Sequence, residues 1–261
     1  MELKVVFLSY KCSRGAEILR QLKARDISLE AIFIESPELL GRLRTAIRNM
    51  TYGEILQIVF RRILSLFLPG KGNDWLTHDF YRSFSNRVYT VENFNGKRCE
   101  TLLRNIGPDI IVLGCSRIIR ENIINIPKIG TLNVHPGLLP KYRGVDIIRW
   151  AIHNGDKIGV TVHFIDRGVD TGPILMQRAV NIEENDNIGS LAGKCERLSG
   201  ELMAEVLLRM REGHTITQTP QSQAEGKQYY RMSSKLRRET DRKLGRLTNE
   251  LKSNKHRDTL G

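Results

Sequence analysis

The chain of 261 residues is 40% hydrophobic and 27% charged, an ordinary globular balance that excludes a disordered, fibrous or small disulfide-stapled protein. Its formal charge of +12 is uneven: eleven Lys/Arg face four Asp/Glu over residues 227–261, which leaves +5 over the first 226 residues, so the body is mildly basic and the end strongly so. Four cysteines, Cys12, Cys99, Cys115 and Cys195, form no CxxC pair, which speaks against a zinc knuckle or disulfide framework and for a reducing, cytoplasmic setting.

The first ten residues, MELKVVFLSY, alternate like a strand and lack the features of a secretory signal. Residues 3–9 are the first expected strand, 15–23 a helix and 29–35 a second strand. Residues 39–74 carry two Arg-containing apolar patterns where a short connection would suffice, and read as a helical insertion. Its apolar residues suit packing on the sheet, covering a site mouth or a subunit contact that would make a homodimer. Its most apolar stretch, 55–68, is broken by Arg61 and Arg62 and falls short of the ~30 Å of a bilayer core, so no stable membrane insertion is expected.

After Gly107-Pro108, the run DIIVLG at 109–114 is apolar on both faces, as a central strand requires. A neighbouring strand is expected at 130–135, a helix at 146–153, strands at 158–165 and 174–180, and a long helix at 187–211. Few β-branched or aromatic residues follow beyond Tyr229-Tyr230, which suggests coil and helix. This alternation predicts an α/β fold with a mostly parallel twisted sheet and helices on both faces. The expected division is one domain over 1–210 and a basic C-terminal appendage over 211–261.

Polar residues concentrate at the end of one buried strand, Asn133 and His135, followed by a turning loop with Pro136, Gly137, Pro140 and Gly144. Functional groups of open α/β sheets gather at such carboxyl ends. Asp170 lies in a second turn-forming stretch, DRGVDTGP at 166–173. Singly, each residue has a plain structural reading: a satisfied histidine, an Asn bonded to its own backbone, an Asx-turn. Together they bring an amide, an imidazole and a carboxylate within reach of one another. His135, His153 and His163 lack metal-ligand spacing, so no metal is expected.

The pattern NVHPGLLPKYRG at 133–144, followed by DRGVDTG, resembles the signature of the folate-dependent formyltransferases, a group that includes glycinamide ribonucleotide, methionyl-tRNA and sugar-nucleotide N-formyltransferases. The resemblance spans about residues 1–210 and implies a Rossmann-like fold and a one-carbon transferase that uses 10-formyltetrahydrofolate. It implies catalytic roles for Asn133, His135 and Asp170. Formyl transfer to an amine passes through a tetrahedral centre with an anionic oxygen, which Asn133 and His135 can meet with hydrogen bonds. A nearby carboxylate would raise the histidine pKa, the expected part of Asp170, and could relay the amine proton.

By the same resemblance the folate pocket takes in Ser116, Arg117, Ile118 and Ile119, then Gly137, Leu138, Leu139 and Pro140, and finally Asp166, Arg167, Gly168 and Val169. The family usually has Ser where this chain has Gly137, a change that should spare the backbone contact. Acceptor contacts are expected from Lys11, Ser13, Arg14, Lys141, Tyr142 and Arg143. The Tyr-Arg-Gly loop, bulky Tyr10 and Lys11 where a Gly-Ser-Asn phosphate loop would stand, and a short non-alternating C-terminal segment favour a small-molecule amine, that of a nucleotide-linked amino sugar. Glycinamide ribonucleotide, methionyl-tRNA and hydrolysis of the formyl donor are the alternatives.

Overall fold

The computed structural model describes residues 3–36 and 77–258; the expected insertion at 39–74 lies outside them. The first half runs β1 (Val5–Ser9), α1 (Ser13–Lys23), β2 (Ala31–Glu35), α2 (His78–Arg82), β3 (Val88–Val91), α3 (Lys97–Ile106), β4 (Ile110–Leu113) and α4 (Glu121–Ile124). The second half runs β5 (Gly130–His135), β6 (Tyr142–Gly144), α5 (Ile147–Asn154), β7 (Ile158–Phe164), β8 (Ile174–Val180), α6 (Ile188–Arg211), β9 (Lys227–Tyr229) and α7 (Ser234–Asp258).

Seven strands form one sheet in the order β3-β2-β1-β4-β5-β7-β8. The five from β3 to β5 are parallel, while β7 and β8 join antiparallel. Every residue of β1, β2 and β4 is buried, because helices cover both sheet faces and leave no polar side to present. On one face α1 and α6 pack Ile18, Leu22, Leu202 and Val206 against Leu132 and Val162. On the other, α3 and α4 pack Leu103 and Ile123 against Val6 and Ile111. The expected neighbours β4 and β5 do lie side by side inside the sheet. The long helix starts one residue late because Asn187 is its cap, with Oδ1 accepting from the amides of Gly189 and Ser190.

The C-terminal segment is more ordered than its composition suggests. Residues 227–229 form β9, parallel to β6, and α7 lays Leu244 against Tyr142, Ile152 and Leu191. A three-residue strand leaves no readable alternation; its partner, some eighty residues earlier, supplies the hydrogen bonds that define it. Among the described residues no helix is long and apolar enough to cross a membrane.

Candidate active site

Chain direction across the sheet reverses between β1 and β4, the place where an open α/β sheet leaves a crevice beyond its strand ends. A cavity of about 460 Å³ opens there, lined by Arg14 after β1, residues 115–119 after β4, residues 133–136 at the end of β5, residues 144–147, residues 165–170 and residues 228–230. Pleating sends Asn133 and His135 to one side of β5 and Leu132 and Val134 to the other. The antiparallel register with β7 sets His163 opposite Asn133.

Asn133, His135 and Asp170 meet at one wall of this cavity. The Nδ1 of His135 lies 3.3 Å from Asp170 Oδ2, and Asp170 Oδ1 lies 3.7 Å from His163 Nε2. Carbonyl oxygens only accept, so the contacts assign the histidine tautomers. His163 donates from Nδ1 to Phe164 O at 2.7 Å, and its Nε2 accepts from Asn133 Nδ2 at 3.1 Å. His135 donates from Nε2 to Tyr142 O at 2.9 Å. Its Nδ1 then faces the carboxylate, and a proton arriving between the two would be held by both.

The expected rise in the His135 pKa does not result. Burial pushes the ring below its ordinary value and outweighs the opposing pull of Asp170, with the Arg14 charge adding to the downward shift. Burial likewise lowers His163, to about 4. Both rings are therefore neutral near neutral pH. His163 was not among the expected site residues; its only sequence signal is a polar position in a buried strand, and its place beside Asn133 depends on strand register.

Asp170 adopts a left-handed backbone, φ 54°, which Asp tolerates better than most residues. Its Oδ2 accepts from the Gly144 amide at 2.9 Å, and its carbonyl accepts from Gln221 Nε2 at 3.1 Å. Asp166 ties the same loop together, its Oδ1 accepting from the Gly168 amide at 3.0 Å and the Thr171 hydroxyl at 2.6 Å.

Ser116, Arg117, Ile118 and Ile119 line the cavity, and so do Asp166, Arg167, Gly168 and Val169. The first segment is anchored from behind. Arg117 pairs with buried Glu35 at 2.9 Å, Asn95 Nδ2 donates to Ile118 O at 3.0 Å, and the Ser116 hydroxyl accepts from Arg14 at 2.7 Å. Ile118 is 76% exposed and Val169 40%, so two apolar flanks face the opening, an environment that fits a flat apolar-faced ligand.

Gly137, Leu138, Leu139 and Pro140 are not brought to this cavity. The Thr161 hydroxyl donates to Gly137 O at 2.6 Å and accepts from the Leu139 amide at 3.2 Å, while Gln177 donates to Leu139 O at 2.6 Å. The loop is thus held against β7 and β8. A Cβ at Gly137 would lie 2.5 Å from Ile147 Cγ2 and 2.8 Å from His135 Nε2, so the missing hydroxyl is a matter of packing around His135 as well.

The expected acceptor residues also divide. Arg14 lines the cavity, and Ser13 lines an adjoining one of about 230 Å³, where its hydroxyl donates to Glu196 at 2.8 Å. Exposed Lys11 is at neither wall. Lys141 pairs with Asp156 at 2.8 Å, buried Tyr142 donates its hydroxyl to Asp156, and Arg143 donates to Gly226 O at 2.8 Å. Lys141 is tied to the turn before β7, whereas Tyr142, stacked on Tyr229, and Arg143 secure the C-terminal segment; none of the three lines the cavity. The residues that do reach its mouth from there, Gln228, Tyr229 and Tyr230, were absent from the expected set. No cluster of three or more His, Cys, Asp or Glu suited to a metal occurs among the described residues.

Residues 3–207 match the family model described as Formyl transferase. A methionyl-tRNA formyltransferase of Thermodesulfovibrio yellowstonii is 44% identical over 122 residues, 46% of this chain and 39% of that one. The chain thus spans from about two fifths to three fifths of the length of the curated relatives it matches. Among solved structures, glycinamide ribonucleotide transformylase 1 of Symbiobacterium toebii superposes with a TM-score of 0.59 at 19% identity, over 85% of this chain and 95% of that one. A sugar N-formyltransferase from a Shewanella species gives 0.58 at 15% identity, over 92% and 87%. At these identities the two structures speak for the fold alone.

Proposed function

The chain belongs to the formyl transferase family, and from that premise we propose that it moves a formyl group from 10-formyltetrahydrofolate to a primary amine, that of a nucleotide-linked amino sugar. The observation that carries this reading is the meeting of Asn133, His135 and Asp170 at one wall of a cavity whose other walls are 116–119 and 166–169.

The donor, when bound, supplies a formyl carbon open to attack and an amine leaving group. Asn133 carries two amide hydrogens, one of them directed at His163, and its role is to donate to the oxygen on which charge develops. The neutral His135 and the carboxylate of Asp170 take the proton lost by the attacking amine and return one to the departing nitrogen. Residues 116–119 and 166–169 hold the folate, and 137–140 support His135 from behind. No bond to the protein forms at any step.

For the acceptor, Arg14 offers a guanidinium fork to a diphosphate, and Tyr230, 70% exposed at the mouth, offers a ring face. A second reading, an amine on an aminoacylated RNA, draws on the methionyl-tRNA formyltransferase relative and on α7, where exposed Arg238, Arg242 and Arg246 recur every four residues along one face. We read residues 211–261 as an appendage of a catalytic domain over 1–210. The free and mostly buried thiols suit a cytoplasmic setting.

The test is release of tetrahydrofolate on mixing protein and formyl donor with nucleoside-diphosphate amino sugars, glycinamide ribonucleotide or methionyl-tRNA. The expected result is turnover that needs a nucleotide sugar. Release without any amine would make the protein a hydrolase, and turnover confined to the RNA or the ribonucleotide would move the acceptor accordingly.

A further inference from the structure

Three-residue β6 touches both halves of the candidate proton-transfer pair. Its Tyr142 carbonyl accepts from His135 Nε2 at 2.9 Å, and its Gly144 amide donates at 2.9 Å to Asp170 Oδ2, the oxygen that faces His135 Nδ1. So short a strand has little stiffness of its own. Its neighbours come from the far end of the chain.

Tyr142, Arg143 and Gly144 pair with Lys227, Gln228 and Tyr229. Gly144 has φ +101°, and a Cβ there would run into the Tyr229 carbonyl. The Tyr142 and Tyr229 rings stack at 5.2 Å between centroids, and the Val145 amide donates to Tyr229 O at 3.1 Å. Asp146, left-handed at φ 56°, closes the arrangement: its Oδ2 accepts from the Met232 amide at 2.9 Å and from Arg237 Nη2 at 2.6 Å. Gln221 holds the other partner, donating to Asp170 O at 3.1 Å and to Gly172 O at 2.6 Å. A non-glycine residue in a left-handed conformation persists only where its surroundings over-determine it.

We infer that residues 221–237 are a positioning element for the transfer reaction, with Arg237 its outermost positioning residue: through Asp146 and β9 it fixes the β6 backbone, whose Tyr142 carbonyl and Gly144 amide aim His135 and Asp170 at each other. This rests on the proposed roles of those two residues. A misalignment of about 1 Å originating outside the chemistry can cost up to ~10²-fold in rate, so an ion pair on a surface helix can act on turnover without touching substrate.

The test compares Arg237→Gln and Arg237→Lys with the unsubstituted full chain. The readouts are the ring ¹⁵N signals of His135 from about pH 4 to 8, together with kcat and KM for formyl transfer. Asp170, His163 and Arg14 are the charged or titratable groups facing that ring. In Arg237→Gln the His135 signals and their titration should move, and kcat should fall about 10-fold with the KM for folate unchanged; Arg237→Lys should restore most of both. Unmoved His135 signals and unchanged kcat beside a lowered Tm would reduce the segment to a structural prop and overturn the inference. Should Arg237→Gln fail to fold, Gln221→Met asks the same question from the Asp170 side. If the His135 signals shift while the unsubstituted protein formylates no amine, the proposed function falls and the positioning stands.

Discussion

Residues 133–135 and 142–144 belong to one sequence motif, yet the structure sends them to different tasks. The first group lies in a six-residue strand whose pleat turns Asn133 and His135 toward the cavity. The second lies in a three-residue strand whose side chains, Tyr142 and Arg143, turn toward Asp156 and Gly226 while its backbone faces His135 and Asp170. In the one, side chains are offered to chemistry and the backbone belongs to the sheet. In the other, backbone groups orient the chemistry and the side chains hold the scaffold. A motif read as a string of side chains therefore overstates the reach of its second half.

The sharpest way to break this contrast is Asp170→Asn. Asn keeps both the left-handed backbone and an oxygen for the Gly144 amide, so the fold should survive while turnover falls ~10²-fold or more, by analogy with loss of one preorganised transition-state group. Circular dichroism and kcat check the two halves of that statement, and near-normal turnover would remove Asp170 from the proton path.

Gly144→Ala attacks the second half of the motif through its backbone. It forces φ +101° on a residue with a Cβ and drives that Cβ against Tyr229 O, at a cost of about 2 kcal/mol or more, read from the urea midpoint. A midpoint within error of the unsubstituted protein would mean that β6 and β9 are not held together as described.

Protonation sharpens the comparison at His163, which the sheet register sets opposite Asn133 of the first group. His163 titrates near 4 in the folded protein against an ordinary 6.5, so between those values the unfolded chain binds a proton that the folded one does not. Stability should fall as pH drops through 6.5 toward about 4, and be fully present above 6.5. His135 is displaced in the same direction. Thermal melts in His163→Gln should show a weaker decline over that window; an unchanged slope would place the titration elsewhere.

The smallest effect is expected at Lys141. Its ion pair with Asp156 is largely exposed, so Lys141→Ala should change stability by about 0.5 kcal/mol or less and leave turnover intact. A large loss of rate would return Lys141 to the acceptor site.

Local sequence by itself determined six of the seven strands of the main sheet and the helices α1, α5 and α6, because burial on both faces demands apolar runs such as VVFLS and IIVL and because turns after them need Gly, Pro or Asp; the edge strand β3, only partly buried, and the helices α2, α3 and α4 were not read from it. It also singled out Asn133, His135 and Asp170, three polar groups at strand ends and turns where an apolar core has no use for them. Tertiary structure alone decided that His163 joins Asn133, that residues 137–140 face Thr161 and not the cavity, and that Tyr229 and Tyr230 reach its mouth. Each of these follows from register or from pairing between segments tens of residues apart, which no local pattern encodes. The direction of the His135 shift belongs with them: the carboxylate was legible in the sequence, but the burial that outweighs it is a property of the assembled site.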